Sequence, residues 1–222
     1  ARAMIKAVLN GQPPHEVLKL ASRRLKASRE ELHDALQGEL TASHVFVLDE
    51  RLRPIEELEA RIIRFDARLL GELASERNTR ALLQTVPGVD LIGAAMRLVD
   101  IGSDMSVFGT PERLASWVGI CPGNNESAGK RQSGRVRKGN RYIRRLLCEF
   151  AHAASRTKST FQARFRSLIV RRGHKRTIVA LAHKMLCTLF FMLKRGEYYR
   201  DSVINYEQLS VQRNASRWIK AL

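Results

Sequence analysis

The chain has 222 residues, 44% of them hydrophobic and 27% charged, which is enough apolar material for one or two packed domains and excludes a disordered tail. A formal net charge of +17 and a pI near 10.7 make a polyanion the expected partner, nucleic acid first. Cys121, Cys148 and Cys187 lie too far apart for metal-ligand spacing, and their odd number gives no disulfide framework.

No apolar run reaches the roughly 18–20 residues of a membrane span. The longest candidate, 178–193, is interrupted by His183 and Lys184. With no signal peptide to read, a reducing cytoplasm and an association with the nucleoid are expected. The chain opens on Ala1 rather than Met, as a fragment or processed piece would.

In chain order, helical periodicity dominates and strands are scarce, so the expected fold class is all-α. Pro13-Pro14 precedes a predicted helix over 15–37, with Leu18, Ala21, Leu25, Ser28, Leu32 and Ala35 at three-four spacing and Gly38 at its end. A second helix is predicted over 44–76. Ile55, Leu58, Ile62, Phe65 and Leu69 form its heptad-like seam, and Pro54 either kinks it or starts its main run. The two helices are expected to form an antiparallel hairpin. A seam of about three heptads serves either packing within the chain or a coiled coil between two copies.

From Ala81 to Val99, a short helix, a Pro87-Gly88 turn and a second helix with small residues Gly93 and Ala94 read as a helix-hairpin-helix. Such a turn offers backbone N–H groups to a phosphate, so Gly88 is a candidate contact. Asp90, where that motif usually has glycine, opposes an anion. Thr110 and Pro111 are placed as N-cap and first residue of the next helix, which Gly119 ends. Residues 121–140 read as a long Gly/Asn/Ser-rich loop of the kind that carries function. Helices over 140–156, 159–171 and 174–195 follow, the last being the core helix. The expected domains are a helical hairpin or coiled-coil region over 1–80, a basic domain over 81–200 and a tail over 201–222.

Charge divides the same way. Residues 1–83 hold 14 Lys/Arg against 13 Asp/Glu, whereas 84–222 hold 25 against 9. Residues 127–196 alone hold nineteen Lys/Arg and one acid, Glu149. Eight of these cations fall within 130–145: Lys130, Arg131, Arg135, Arg137, Lys138, Arg141, Arg144 and Arg145. A solvated face normally mixes signs, so this run points to phosphate neutralisation. Ser127 stands in the same loop. A hydroxyl becomes a nucleophile only where its proton is removed and the developing charge is stabilised, and the cations meet the second need. By itself the residue reads as a turn former or phosphate donor. Asp90, Asp100 and Asp104 read as helix-end and turn residues rather than a metal site, since no further carboxylate converges on them. His174 and His183 match no ligand spacing. No metal ligand is therefore assigned.

The pieces Thr85-Val86-Pro87-Gly88-Val89, Phe108-x-Thr110-Pro111-x-x-Leu114-Ala115-x-Trp117-x-Gly119, Asn125-Glu126-Ser127-Ala128-Gly129-Lys130-Arg131 and Gly134-Arg135-x-Arg137-Lys138-Gly139-Asn140-Arg141-Tyr142-x-Arg144-Arg145 occur in an order and spacing that, taken together, are specific. From Leu83 to about Tyr199 the chain resembles the C-terminal domain of DEDD-type insertion-sequence transposases of the bridge-RNA-guided group. Residues 1–80 resemble that family's middle helical region. The resemblance implies DNA strand cutting and rejoining, with Ser127 matching the serine that attacks the phosphodiester. It implies magnesium, bound by four acids of a RuvC-like N-terminal domain that is not in this chain, so the chain alone is expected to be inactive. It implies a structured guide RNA as well as DNA as partners, sequence choice by base pairing, and homo-oligomer assembly through the helical region. The competing reading is a non-catalytic helix-hairpin-helix DNA- or RNA-binding protein.

Overall fold

The computed structural model describes residues 2–22, 24–38, 40–121, 125–127, 130–133, 136 and 138–201. It is an all-α fold with one short two-stranded ribbon, divided into two compact units, Ala1–Ala67 and Arg68–Leu222.

The first unit starts with a helix that the sequence reading did not anticipate, α1 (Arg2–Leu9), which precedes Pro13-Pro14. The single helix expected over 15–37 is two short ones, α2 (Pro14–Lys19) and α3 (Arg29–Ala35). The reason is local. Ser28, which fits the apolar stripe by spacing, is instead the N-cap of α3. Its hydroxyl accepts from the Glu31 N–H at 3.1 Å while the Glu31 carboxylate accepts from the Ser28 N–H at 2.7 Å. This capping box starts a new helix where continuation was expected.

Helix α4 (Ala42–Glu72) runs unbroken through Pro54. Arg2 pairs with Glu59 and Lys6 with Glu56, tying α1 to α4. Among the described residues the expected antiparallel hairpin is not formed, since neither α2 nor α3 packs against α4. With its intended partner broken into α2 and α3, the seam residues Ile55, Leu58, Ile62 and Phe65 are exposed, Phe65 at 69%.

The second unit holds the main core. Helices α5 (Arg77–Gln84), α7 (Pro111–Val118), α8 (Arg141–Ala154) and α9 (Thr160–Arg172) pack against α10 (His174–Arg195), α6 (Leu91–Ile101) packs against α5 and α8, and a 3-10 turn spans Met105–Val107. Leu83, Leu114, Ile143, Leu147, Leu181, Leu186 and Phe190 are fully buried in one continuous cluster. Burial of each such side chain contributes about 1.5–3 kcal/mol. By length and hydropathy α10 could cross a membrane, but α8, α9, α7 and α5 pack against it and nine of its residues are buried, as a core helix requires. His174 stacks on His152 at 5.2 Å and meets the ring of Phe165 edge-on, so it closes the α8–α9–α10 junction.

Arg97 on α6 is 1% exposed and has no carboxylate partner among the described residues. It donates to the Gly102 carbonyl at 2.7 Å and lies 3.5 Å from the Met105 sulfur, fastening the α6 C-terminus to the 3-10 turn. Burial pushes its pKa down to about 9.

Candidate nucleic-acid interface

Helix α7 begins as its sequence dictates. The Thr110 hydroxyl accepts from the Arg113 N–H at 3.3 Å, Pro111 occupies the first helical position, and Gly119 ends the helix in the left-handed conformation, φ 74°. Ile120 then enters the core and Cys121 leads out of it.

The stretch expected to be a loop folds back on itself. Strand β1 (Asn125–Ser127) pairs antiparallel with β2 (Lys130–Ser133). Ser127 lies opposite Lys130 and Glu126 opposite Arg131, with a register shift between Asn125 and Glu126. The ribbon therefore sets the backbone of the candidate nucleophile beside that of a candidate cation. The side chains of Ser127, Lys130 and Arg131, and the whole of Arg135 and Arg137, lie outside the described residues.

At Gly139 the backbone runs close against the end of α7. A Cβ at this position would fall 2.4 Å from the Gly119 nitrogen and 2.5 Å from the Val118 carbonyl carbon, so only glycine lets the backbone pass the end of α7. The next residue is anchored twice. The Asn140 N–H donates to the Trp117 carbonyl at 3.3 Å, and its side-chain oxygen accepts from the Tyr142 and Ile143 N–H groups at 3.0 and 3.1 Å, capping α8.

Lys138, Arg141 and Arg145 are exposed, and none has an ion pair among the described residues. Arg144 differs from them. It is half-buried and reaches the Gly119 carbonyl at 3.5 Å, at the negative end of α7, so part of its work is to hold α7 to α8. Trp117, although on a helix whose Leu114, Ala115 and Val118 are buried, is 43% exposed. The edge of Phe108 meets it at 5.6 Å. Together with Gly139, Asn140, Arg141 and Tyr142 it lines an open hollow of about 570 Å³. The signal available in the sequence was that Trp117 falls off the arc shared by Leu114, Ala115 and Val118.

The Pro87-Gly88 turn is built differently. Gly88 has φ 88°, and a Cβ there would lie 2.6 Å from the Phe150 carbonyl oxygen and the Ala154 nitrogen, so the glycine is accounted for by close approach to α8. Asp90 is the N-cap of α6 and accepts from the Gly93 N–H at 2.7 Å. Asp90 and Glu149 both line the hollow of about 530 Å³ beside this turn, which disfavours an anion there. The remaining acids are also occupied locally or alone. Asp104 caps the 3-10 turn by accepting from the Ser106 N–H and hydroxyl, which lower its pKa, and Asp100 is exposed on α6. Among the described residues no three His, Cys, Asp or Glu side chains converge on a metal position. These residues do not supply the acidic donor set that magnesium requires.

Residues 80–166 match the profile of the Transposase IS116/IS110/IS902 family. The chain is 29% identical over 190 residues to a "Probable family 20 transposase" of Pseudomonas aeruginosa, covering 82% of this chain and 56% of that protein. It is 32% identical over 123 residues to the "Transposase for insertion sequence element IS1111A" of Coxiella burnetii, covering 53% of this chain and 34% of that protein. An insertion element IS900 protein of Mycobacterium paratuberculosis is 27% identical over 205 residues, 90% of this chain and 50% of that protein. The chain spans about half the length of the curated relatives it matches. The ribbon, the α7–α8 junction and the exposed cations of α8 all fall inside the segment that matches this transposase profile.

Proposed function

We propose that this chain is the DNA-handling and nucleophile-bearing part of an insertion-sequence transposase. The observation that carries the reading is the coincidence, within one transposase domain, of the densest cationic run with a ribbon whose register pairs Ser127 with Lys130. Arg and Lys side chains neutralise phosphates and release counterions, which positions the strands. In the chemical step the Ser127 oxygen bonds to phosphorus as the phosphorus–oxygen bond to one sugar breaks. The serine proton passes to a base, and the departing sugar oxygen takes up a proton. Nearby cations stabilise the pentavalent phosphoryl group.

The four metal-binding acids belong, on this reading, to a separate RuvC-like DEDD domain, and magnesium supplies Lewis-acid charge there. Residues of the present chain bind and orient the phosphodiester and provide the attacking oxygen. A structured guide RNA, assembly through the exposed seam of α4, and action on the cytoplasmic nucleoid complete the proposal. The test is Ser127→Ala in a protein that includes the acidic domain. Strand exchange falls by at least about a thousandfold while affinity for DNA is kept, as expected for loss of a nucleophile. Strand exchange at the unsubstituted rate sinks the catalytic assignment.

A further inference from the structure

The hollow at the α7–α8 junction has a composition that the phosphate-binding reading does not use. Two aromatic side chains line it, Trp117 at 43% exposure and Tyr142 at 73%. Exposed aromatics at the edge of a well-packed core lose hydration on any flat apolar partner. Their backbone setting is fixed. Asn140 bonds the Trp117 carbonyl, Gly139 is pressed against Gly119, and the edge of Phe108 supports the indole. Cations accompany the aromatics: Arg141 shares the lining and Lys138 lies close by in sequence, both exposed. The Tyr142 and Ile143 N–H groups are already taken by the Asn140 side chain, so the charge here comes mainly from side chains rather than from a helix end.

Aromatic faces for stacking, with flanking cations for a backbone phosphate, are what an unpaired nucleotide requires and what a stacked duplex base cannot use. We infer that Trp117 and Tyr142 form a stacking site for an unpaired nucleobase, with Arg141 and Lys138 on its phosphates. The inference rests on the nucleic-acid reading above and deepens it, because it selects single-stranded over duplex substrate at one defined place. An opened DNA strand and a single-stranded RNA segment both present this chemistry.

Trp117 is one of two tryptophans, so in a Trp218→Phe background its fluorescence reports this hollow alone. The 222-residue chain is titrated with a single-stranded DNA oligomer, an RNA oligomer of the same sequence, an abasic DNA oligomer of equal length, and a duplex. Base-bearing single strands quench Trp117, and the better quencher of DNA and RNA identifies the source. The abasic oligomer and the duplex bind without quenching. Tyr142→Ala and Trp117→Leu each weaken single-strand binding about tenfold and leave duplex binding within twofold. Tyr142 is so exposed that its truncation leaves the fold intact, which keeps the test valid if Trp117→Leu fails to fold. Single-strand binding with a silent Trp117, or equal quenching by the abasic oligomer, overturns the stacking site alone. Absence of salt-sensitive binding to every oligomer overturns the nucleic-acid reading itself.

Discussion

A side chain at position 139 has nowhere to go, and this places a strong constraint beside the candidate site. Gly139→Ala forces the backbone away from Gly119 or unseats α7. We expect it to destabilise the second unit by about 2–4 kcal/mol, as overpacking against rigid backbone does, measured by urea unfolding. Stability within 0.5 kcal/mol of the parent contradicts the close approach. Arg97 poses the opposite problem, a buried cation with no counter-charge among the described residues. Burial lowers its pKa to about 9, well below that of a free guanidinium, so the charged form costs stability at all pH values below about 9 and the cost is relieved only as pH rises through that value. Its bond to Gly102 returns about 1.5–3 kcal/mol, less than the desolvation it offsets. Arg97→Met is therefore expected to raise Tm at pH 7, and a clear fall would show that the bond dominates. Neither property is legible in the sequence. Arg97 reads as one more cation on an amphipathic helix, and Gly139 as one more loop glycine, until the backbone of Gly119 is seen against it.

Helix ends are where sequence and structure agree best, because capping chemistry is local. Thr110, Pro111 and Gly119 bound α7 as their residue types require, and the predicted helix over 174–195 matches α10. Asn140 belongs with them. Its side chain satisfies two N–H groups at the start of α8, so Asn140→Ala is expected to cost about 1 kcal/mol in thermal unfolding, with Asn140→Ser recovering most of it. Equal stability of all three forms would remove the cap from the account. The same local chemistry explains the failure at Ser28, where a stripe position doubles as a capping box and the box prevails. Whether a seam is covered is not local at all. Periodicity placed Ile55, Leu58, Ile62 and Phe65 on one face of α4 correctly, yet nothing in it revealed that α2 and α3 leave that face exposed. Assembly through this face makes light scattering concentration-dependent. Ile62→Glu with Phe65→Glu lowers the scattering mass, and an unchanged mass argues against assembly through α4.

At the scale of the whole molecule, charge and fold divide the chain in nearly the same place. The near-neutral first part carries an exposed apolar seam, and the basic second part carries the main core, the segment matching the transposase profile and the ribbon. The charge asymmetry and the family resemblance were readable from residues alone, since both are matters of composition and spacing. The ribbon was not, because β1 and β2 are only three and four residues long and lie in a stretch whose glycines and polar residues match turn statistics better than strand statistics. The central claim is that this basic surface grips phosphates, and the salt dependence of DNA affinity tests it most directly. With up to eight cations clustered in 130–145, the log of the binding constant is expected to fall with log salt at a slope of about −4 to −7. A slope near zero, with affinity unchanged between low and high salt, would contradict it.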